Sequence, residues 1–423
     1  MTAILPYNFF MNAHQYFYYK LRNATALQGL EEDDLFRTEP TTDLQRAYEG
    51  WFTITSGVAC TLGALLNTVA THKLSNGFRV LSGHVIVLLS LVPTLLYTFM
   101  DTDEDQTHFF WMTMLISSIA TLGSCGLIGA GISGLAATLS PTYIETVLIA
   151  SAVGGIATSL LSIFCQAATS NAILDGRIYF GIAFLWTIFS VCCYYFVIES
   201  KDSKGVIESP DDIDRLIDNQ NDQQESRDEL NVVPVDNEVQ RAIPQRTSLF
   251  AEWERILEQS GWDMACAVFV IIVTCAAFPA LASRVRTQHL NATWRAYFTS
   301  ICCFLLYSCS DGLGRIFAMR LDITRRQLQN LSLARLLLLP LIAACDVQPR
   351  RHSTTLIRFD AVFVLLNMTL ALSNGFCYTH AYVKAVQSVD ESLRETAGSM
   401  MSLTGNIVGL LGCILGVVIV ALM

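Results

Sequence analysis

Apolar windows separated by short polar punctuation dominate the chain, at about residues 1–19, 51–71, 80–100, 109–138, 143–168, 178–198, 262–283, 296–318, 331–346, 357–383 and 398–422. Most reach the ~20 residues that a helix needs to cross the hydrocarbon of a bilayer. The pattern predicts an all-α, polytopic membrane protein with about 11 transmembrane helices. The windows group as six and then five. This predicts an N-terminal half over 1–198 and a C-terminal half over 262–423, with a hydrophilic segment over 199–261 between them. That segment is rich in Asp, Glu, Asn and Gln and poor in aromatics until Phe250. It cannot bury enough apolar area to offset its ordering entropy and is predicted to be largely disordered. Near its end, Leu249, Phe250, Trp253, Ile256 and Leu257 recur at helical spacing among Glu252, Glu254, Arg255 and Glu258. A short interfacial helix is expected there, leading into the seventh span.

The first window is short for a span. Pro6 stands close to the start, and Asn8, Asn12, His14 and Gln15 interrupt the apolar run. Neither a basic start nor a small-residue cleavage site is present, so a signal peptide is not indicated. The first helix is expected either to lack its opening turns or to begin upstream of Met1.

Composition narrows the function classes. Of 423 residues, 52% are hydrophobic and 15% charged, against about a quarter charged in a soluble domain. An ordinary soluble enzyme is excluded. The net charge of −10 argues against a nucleic-acid partner, which requires a basic surface. The cysteines fall almost entirely within apolar windows, as at Cys192, Cys193, Cys275, Cys302, Cys303 and Cys413, without metal-ligand spacing. They read as small buried hydrophobes. The sequence contains no GxSxG, HExxH or P-loop motif, so no catalytic residue, metal or cofactor is expected and this chain alone does not hydrolyse ATP.

A weak excess of Lys and Arg places the 199–261 loop in the cytoplasm and the C-terminus outside. The sequons Asn23-Ala-Thr and Asn291-Ala-Thr both fall on the external side in this orientation and are the expected glycosylation sites.

Ionisable groups inside spans are functional candidates, because each is costly unless paired or wet. Ser308, Asp311, Gly312 and Arg315 lie at i, i+3, i+4 and i+7 of the eighth window, on one helical face. Asp311 and Arg315 can pair there. They can either offer a carboxylate and a five-donor fork to a polyhydroxylated solute or lock two helices together. The tenth window carries a stripe of Asn367, Asn374 and Tyr378, a pattern that also serves as helix–helix glue. Gly123, Gly126, Gly129, Gly131 and Gly134 in the fourth window read as close-packing positions. Asn67 and His84 stand alone and are expected to make interhelical hydrogen bonds.

Seven short motifs, in order, resemble the equilibrative nucleoside transporter family. Pro6-Tyr-Asn-Phe-Phe-Met11 resembles its PWNFF, Asp311-Gly-Leu-Gly-Arg315 its DxxGR, and Ala334-Arg-Leu with Pro340 its ARL…P. Ser373-Asn-Gly-Phe376 is similar to SNGY and Glu395-Thr-Ala-Gly398 to ETAG, with Phe278-Pro-Ala and Leu139-Ser-Pro-Thr-Tyr143 also in place. The resemblance implies a major-facilitator-like bundle in two halves that rock around a central site and move nucleosides of the uridine and adenosine class down their gradient. It also implies that Arg315 and Asp311 hold the ribose hydroxyls. Phe304 would line the base pocket, and Met11 and Tyr7, where many members have Trp, would contact the solute. Asn8, Ser308 and Asn374 complete the expected substrate-binding set. The expected surroundings are a lipid bilayer, most plainly the plasma membrane. Counting back from Pro141, Gly129 stands where many members carry a base-reading Gln. A facilitator of nucleobases or another polar solute, and a non-transporting scaffold or N-terminally incomplete isoform, therefore remain as alternatives.

Overall fold

The computed structural model describes residues 3–22, 42–71, 73–139, 141–169, 171–199, 249–348, 350 and 354–423. Most of the acidic segment and the sequon Asn23 lie outside the described residues. Among those described, nine helices are long and apolar enough to cross a membrane. We label the helices α1 Leu5–Asn12, α2 His14–Lys20, α3 Asp43–Ala70, α4 Asn76–Tyr97, α5 Gln106–Leu139, α6 Pro141–Ala168 and α7 Ala172–Glu199. They continue as α8 Leu249–Ala277, α9 Thr293–Arg320, α10 Arg325–Ala334, α11 Leu338–Ala343, α12 Asp360–Gln387 and α13 Arg394–Leu422.

The nine long helices account for nine of the eleven windows; the first and ninth are helical but broken. In the first, the Asn12 side chain donates to the Asn8 carbonyl at 2.9 Å. It competes there for the acceptor that the backbone ladder would use, and the helix interrupts at Ala13 between α1 and α2. In the ninth, Pro340 has no N–H and crowds the carbonyl four residues earlier. A 3₁₀ turn at Arg335–Leu337 separates α10 from α11 just before it. The stretch expected as a separate interfacial helix is instead the opening of α8, which runs unbroken for 29 residues. Ile256 is buried in a core cluster with Met264 and Leu393, and Thr396 donates to Glu252 at 3.2 Å. Of the apolar face that suggested a membrane surface, Ile256 is covered by protein, whereas Phe250 and Leu257 stay exposed on the outside of the bundle.

Burial is arranged inside-out relative to a soluble domain. Leu89 is 67% exposed and Phe189 63%, whereas Asn67 and Asn367 are fully buried. A lipid-facing exterior has no use for polar groups, and polar groups inside such a bundle must find partners.

Two contacts position the site. Helices α9 and α12 pack so closely that a methyl at Gly375 would overlap the Asp311 carbonyl oxygen, and one at Gly314 the Leu372 carbonyl oxygen. Helices α3 and α5 approach similarly, a Cβ at Gly126 falling 2.7 Å from the Gly63 Cα. The α5 contact lies in a π-helical stretch, Leu122–Gly129, and α9 carries another, Thr299–Leu305.

Helix α3 also touches distant parts of the chain near both of its ends. At one end, Arg284 approaches the Glu49 carboxylate at 3.6 Å and donates to the Arg46 carbonyl at 3.1 Å, and Ser283 donates to Glu49 at 3.1 Å. At the other, Asn67 accepts from Arg79 at 3.0 Å, and Arg79 pairs with Glu395 of α13 at 2.8 Å. Glu49 and Asn67 are about 27 Å apart along the axis at 1.5 Å per residue, close to the ~30 Å thickness of a bilayer core.

Overpacking the α9–α12 contact should prevent assembly, because carbonyl oxygens on a helix backbone cannot give way. Gly375→Ala is expected to shift the detergent-solubilised protein from a single gel-filtration peak to aggregate. Gly181→Ala, whose added Cβ meets nothing within 4 Å, should elute as the unmodified chain does.

Candidate functional site

Asp311 and Arg315 lie one turn apart on α9, both nearly fully buried. Arg315 Nε donates to Asp311 Oδ2 at 2.7 Å, so the pair closes within one helix and does not itself join two. The cross-helix link comes from Asn374 of α12, whose Nδ2 donates to Asp311 Oδ1 at 2.7 Å. Each carboxylate oxygen therefore accepts one strong bond and keeps a lone pair for another donor. Arg315 Nη1 is buried and meets no acceptor among the described residues. The guanidinium lies 5.9 Å from the centre of the Tyr378 ring, within cation–π reach.

Asn374 is held from behind. Its Oδ1 accepts from the Thr274 hydroxyl of α8 at 2.8 Å. Thr274 in turn accepts from Arg335 Nη2, in the turn between α10 and α11. Arg335 also donates to the Ser373 hydroxyl, to the Leu370 carbonyl at 3.0 Å and to the Val270 carbonyl at 3.4 Å. Four helical segments thus converge on one carboxylate. Sequence reasoning missed Thr274, which reads as a lone threonine in an apolar run. It also gave Arg335 no role beyond its motif.

Asn8 and Ser308 meet on α6. A Cβ at Gly155 would fall 2.8 Å from Ser308 Oγ and 3.6 Å from Asn8 Nδ2, so the glycine makes room for both. Phe304 is buried and stands edge-on to Phe278 at 5.8 Å, with His14 6.4 Å away. Phe278 stacks on Tyr307 at 3.9 Å. Tyr7 packs against Phe52 at 5.3 Å, and Met11 is buried in the same core cluster as Phe304. The structure therefore joins Asp311, Arg315 and Asn374 by direct bonds, places Asn8 beside Ser308, and sets Phe304, Met11 and Tyr7 in an aromatic core.

The other polar candidates divide. Asn367 is glue: its Nδ2 donates to the Cys302 and Cys303 carbonyls at 3.0 and 3.2 Å, inside the π stretch of α9. Asn67 makes the expected interhelical bond, to Arg79. His84 does not; its Nδ1 contacts the Val80 carbonyl of its own helix at 2.9 Å, and its ring stacks on Tyr194. Of the five glycines of α5, Gly129 alone has room, with Ala3 Cβ and the Ser124 carbonyl both 3.6 Å from an added Cβ. Asn291 is exposed and caps a helix, its side chain accepting from the Trp294 N–H at 3.2 Å. No group of His, Cys, Asp and Glu suited to a metal ion occurs among the described residues.

Comparison with known proteins bears on this arrangement. A family model described as Nucleoside transporter matches residues 111–421. Equilibrative nucleoside transporter 1 of Homo sapiens is 26% identical over 426 residues, covering 95% of this chain and 91% of the relative. Equilibrative nucleoside transporter 2 of Mus musculus is 26% identical over 435 residues with the same coverage. Among solved structures, the major facilitator superfamily proton:xylose symporter XylE bound to 6-bromo-6-deoxy-D-glucose superposes with a TM-score of 0.54. That match covers 98% of this chain and 88% of the symporter at 11% identity. The fold is major-facilitator-like.

Removing the donor that serves the π stretch should be felt directly. Asn367→Leu takes this donor away from two buried carbonyls, a loss of about 1–3 kcal/mol. A fall of several degrees in the thermal midpoint in detergent is expected.

Proposed function

The chain belongs to the nucleoside transporter family, and on that premise we propose that it carries nucleosides across a membrane by facilitated, alternating-access transport. The observation that carries this reading is the unpartnered Nη1 of Arg315 beside a carboxylate already fixed by two other donors. A buried cationic donor without an acceptor is costly, and a ribose hydroxyl supplies one. The same hydroxyl, or its neighbour, donates back to a free lone pair of Asp311. The diol of a ribose presents two groups that both donate and accept, which suits a paired carboxylate and guanidinium.

The rest of the solute is apolar and flat. Phe304, Tyr7 and Met11 supply aromatic and thioether surface on which a nucleobase can stack, and Asn8 and Ser308 offer polar edges between the two regions. With Gly129 in α5, base identity is not read by a side chain at that position, so the ribose grip carries most of the recognition. No energy source is required for equilibration.

Access is controlled at the two ends of α3. The Glu49–Arg284 and Arg79–Glu395 contacts each join elements before residue 200 to elements after residue 248. With both closed, the solute is sealed from both faces. Rocking of the halves opens one contact while the other holds. In the orientation argued from basic residues, the Arg79–Glu395 contact faces the cytoplasm and the Glu49–Arg284 contact faces outward.

The decisive experiment is uptake of labelled uridine and adenosine into a transport-deficient host, with free bases and hexoses as competitors. Saturable, sodium-independent uptake is expected, with nucleosides competing best. Arg315→Ala at normal surface expression should lower uptake efficiency at least about tenfold, the worth of one charge-assisted hydrogen bond. Undiminished uptake in that variant would remove the assigned grip, and stronger competition by bases or hexoses would reassign the solute.

The access reading has its own check. Glu395→Gln weakens only the Arg79 contact. Hydrogen–deuterium exchange is expected to rise in the first turns of α4 and α13 while the Ser283–Arg284 segment stays protected. Equal protection in the variant and the parent chain would rule out a control point there.

A further inference from the structure

Arg335, Thr274, Asn374 and Asp311 form a chain of hydrogen bonds whose direction is fixed at both ends. At one end is a guanidinium, which can only donate; at the other is a carboxylate whose two oxygens both accept, one from Arg315 and one from Asn374. Arg335 Nη2 donates to Thr274 Oγ1. Thr274 donates to Asn374 Oδ1 at 2.8 Å, and Asn374 Nδ2 donates to Asp311 Oδ1 at 2.7 Å. A flipped Asn374 amide would set its oxygen against the carboxylate. A Thr274 hydrogen aimed at Arg335 would meet a group with no lone pair. The Val270 carbonyl of its own helix is also 2.8 Å from Thr274 Oγ1. A hydrogen turned there leaves Asn374 Oδ1 without this donor, so only the arrangement through Asn374 serves every link of the chain.

We infer that Arg335 is a positioning residue for solute recognition, acting through Thr274 and Asn374 to hold the Asp311 carboxylate in the orientation that aligns Arg315. The inference rests on the ribose grip proposed above. Asp311 Oδ1 is taken by Asn374, so Arg315 Nε engages Oδ2 and its Nη1 is left free. Without the relay, the carboxylate can rotate and take Nη1 for itself, removing the donor meant for the solute. Arg335 suits this task because it contacts four neutral oxygens and is buried to 2% exposure. Its fork is fixed by α8 and α12 together, so it positions the chain without competing for Asp311.

The test compares uridine with 2′,3′-dideoxyuridine, which keeps the base but lacks both hydroxyls. Thr274→Val removes the relay hydroxyl with little change in volume. It is expected to raise KM for uridine about tenfold while leaving inhibition by the dideoxy analogue within about twofold. Thr274→Ser should restore the parent ratio. Arg335→Met should produce the same change in ratio, and adding it to Thr274→Val should produce no more, since both break one chain. A purely structural role would weaken both ligands together. An unchanged ratio in Thr274→Val, whether uptake falls or not, overturns the relay. Arg315→Lys is run in parallel. If that variant collapses the ratio and Thr274→Val does not, the relay alone is wrong. If Arg315→Lys keeps the parent ratio, the ribose grip fails and the relay with it.

Discussion

A guanidinium has five hydrogens to give and nothing with which to receive, and inside a lipid-embedded bundle there is no bulk water to absorb them. Two such groups, Arg315 and Arg335, lie within one cluster of helices around a single carboxylate. That imbalance explains much of what surrounds them. The Leu370 and Val270 carbonyls and the Ser373 and Thr274 hydroxyls all accept from the two terminal nitrogens of Arg335, while its Nε is buried without an acceptor among the described residues. The break between α10 and α11 supports the same arrangement: Arg335 opens the 3₁₀ turn from which its side chain reaches both α8 and α12. Pro340 makes that interruption inexpensive, since a helix through this point would already be short of one hydrogen bond.

Much of the site was legible because its logic is local. The i, i+4 spacing of Asp311 and Arg315 and the stripe of Asn367, Asn374 and Tyr378 follow from helical periodicity alone. The tight glycines of α5 also read correctly, since only a small residue permits backbone approach. What stayed hidden depends on the partner helix. Thr274 differs in no visible way from other threonines in apolar runs, and like Thr187 at Ala183 it lies within reach of the carbonyl four residues earlier in its own helix; only the partner helix reveals Asn374. Arg79 sits at the start of α4, where a basic residue normally belongs to a loop, yet it is buried against Asn67 and Glu395. The unbroken α8 was likewise invisible, because the amphipathic face of its first turns has the same pattern whether lipid or protein covers it. The interruption at Ala13 has no proline or glycine to announce it.

The length of α3 couples these local features to a larger geometry. A helix is stiff along its axis, so contacts near its two ends cannot change independently of its tilt. Glu49 and Asn67 belong to the same rod, Glu49 tied to Arg284 and Asn67 tied through Arg79 to Glu395. Tilting α3 to loosen one tie presses on the other. Meanwhile, the α9–α12 contact is too close to slide, since carbonyl oxygens occupy the space a methyl would need. Any shift of α9 would therefore carry α12 and the Asp311 cluster with it.

The π stretch of α9 bears on how such a chain can vary over time. Each residue of an α-helix turns the chain by about 100°, and a π stretch in effect carries one residue more than the same axial length of α-helix needs. Phe304 lies within the stretch, and Ser308, Asp311 and Arg315 follow it. The stretch therefore bears on where Phe304 stands relative to the Asp311–Arg315 pair. Losing one residue within Thr299–Leu305 would let the stretch close as ordinary α-helix with its flanks almost in phase, because the wider turns hold about one residue more. Yet it would remove the carbonyl offset at which Cys302 and Cys303 accept from Asn367. Along this segment, substitutions are tolerable one by one, whereas a single-codon deletion unseats the contact between α9 and α12 at Asn367. Descendants of this sequence are therefore expected to change the letters here while keeping their number.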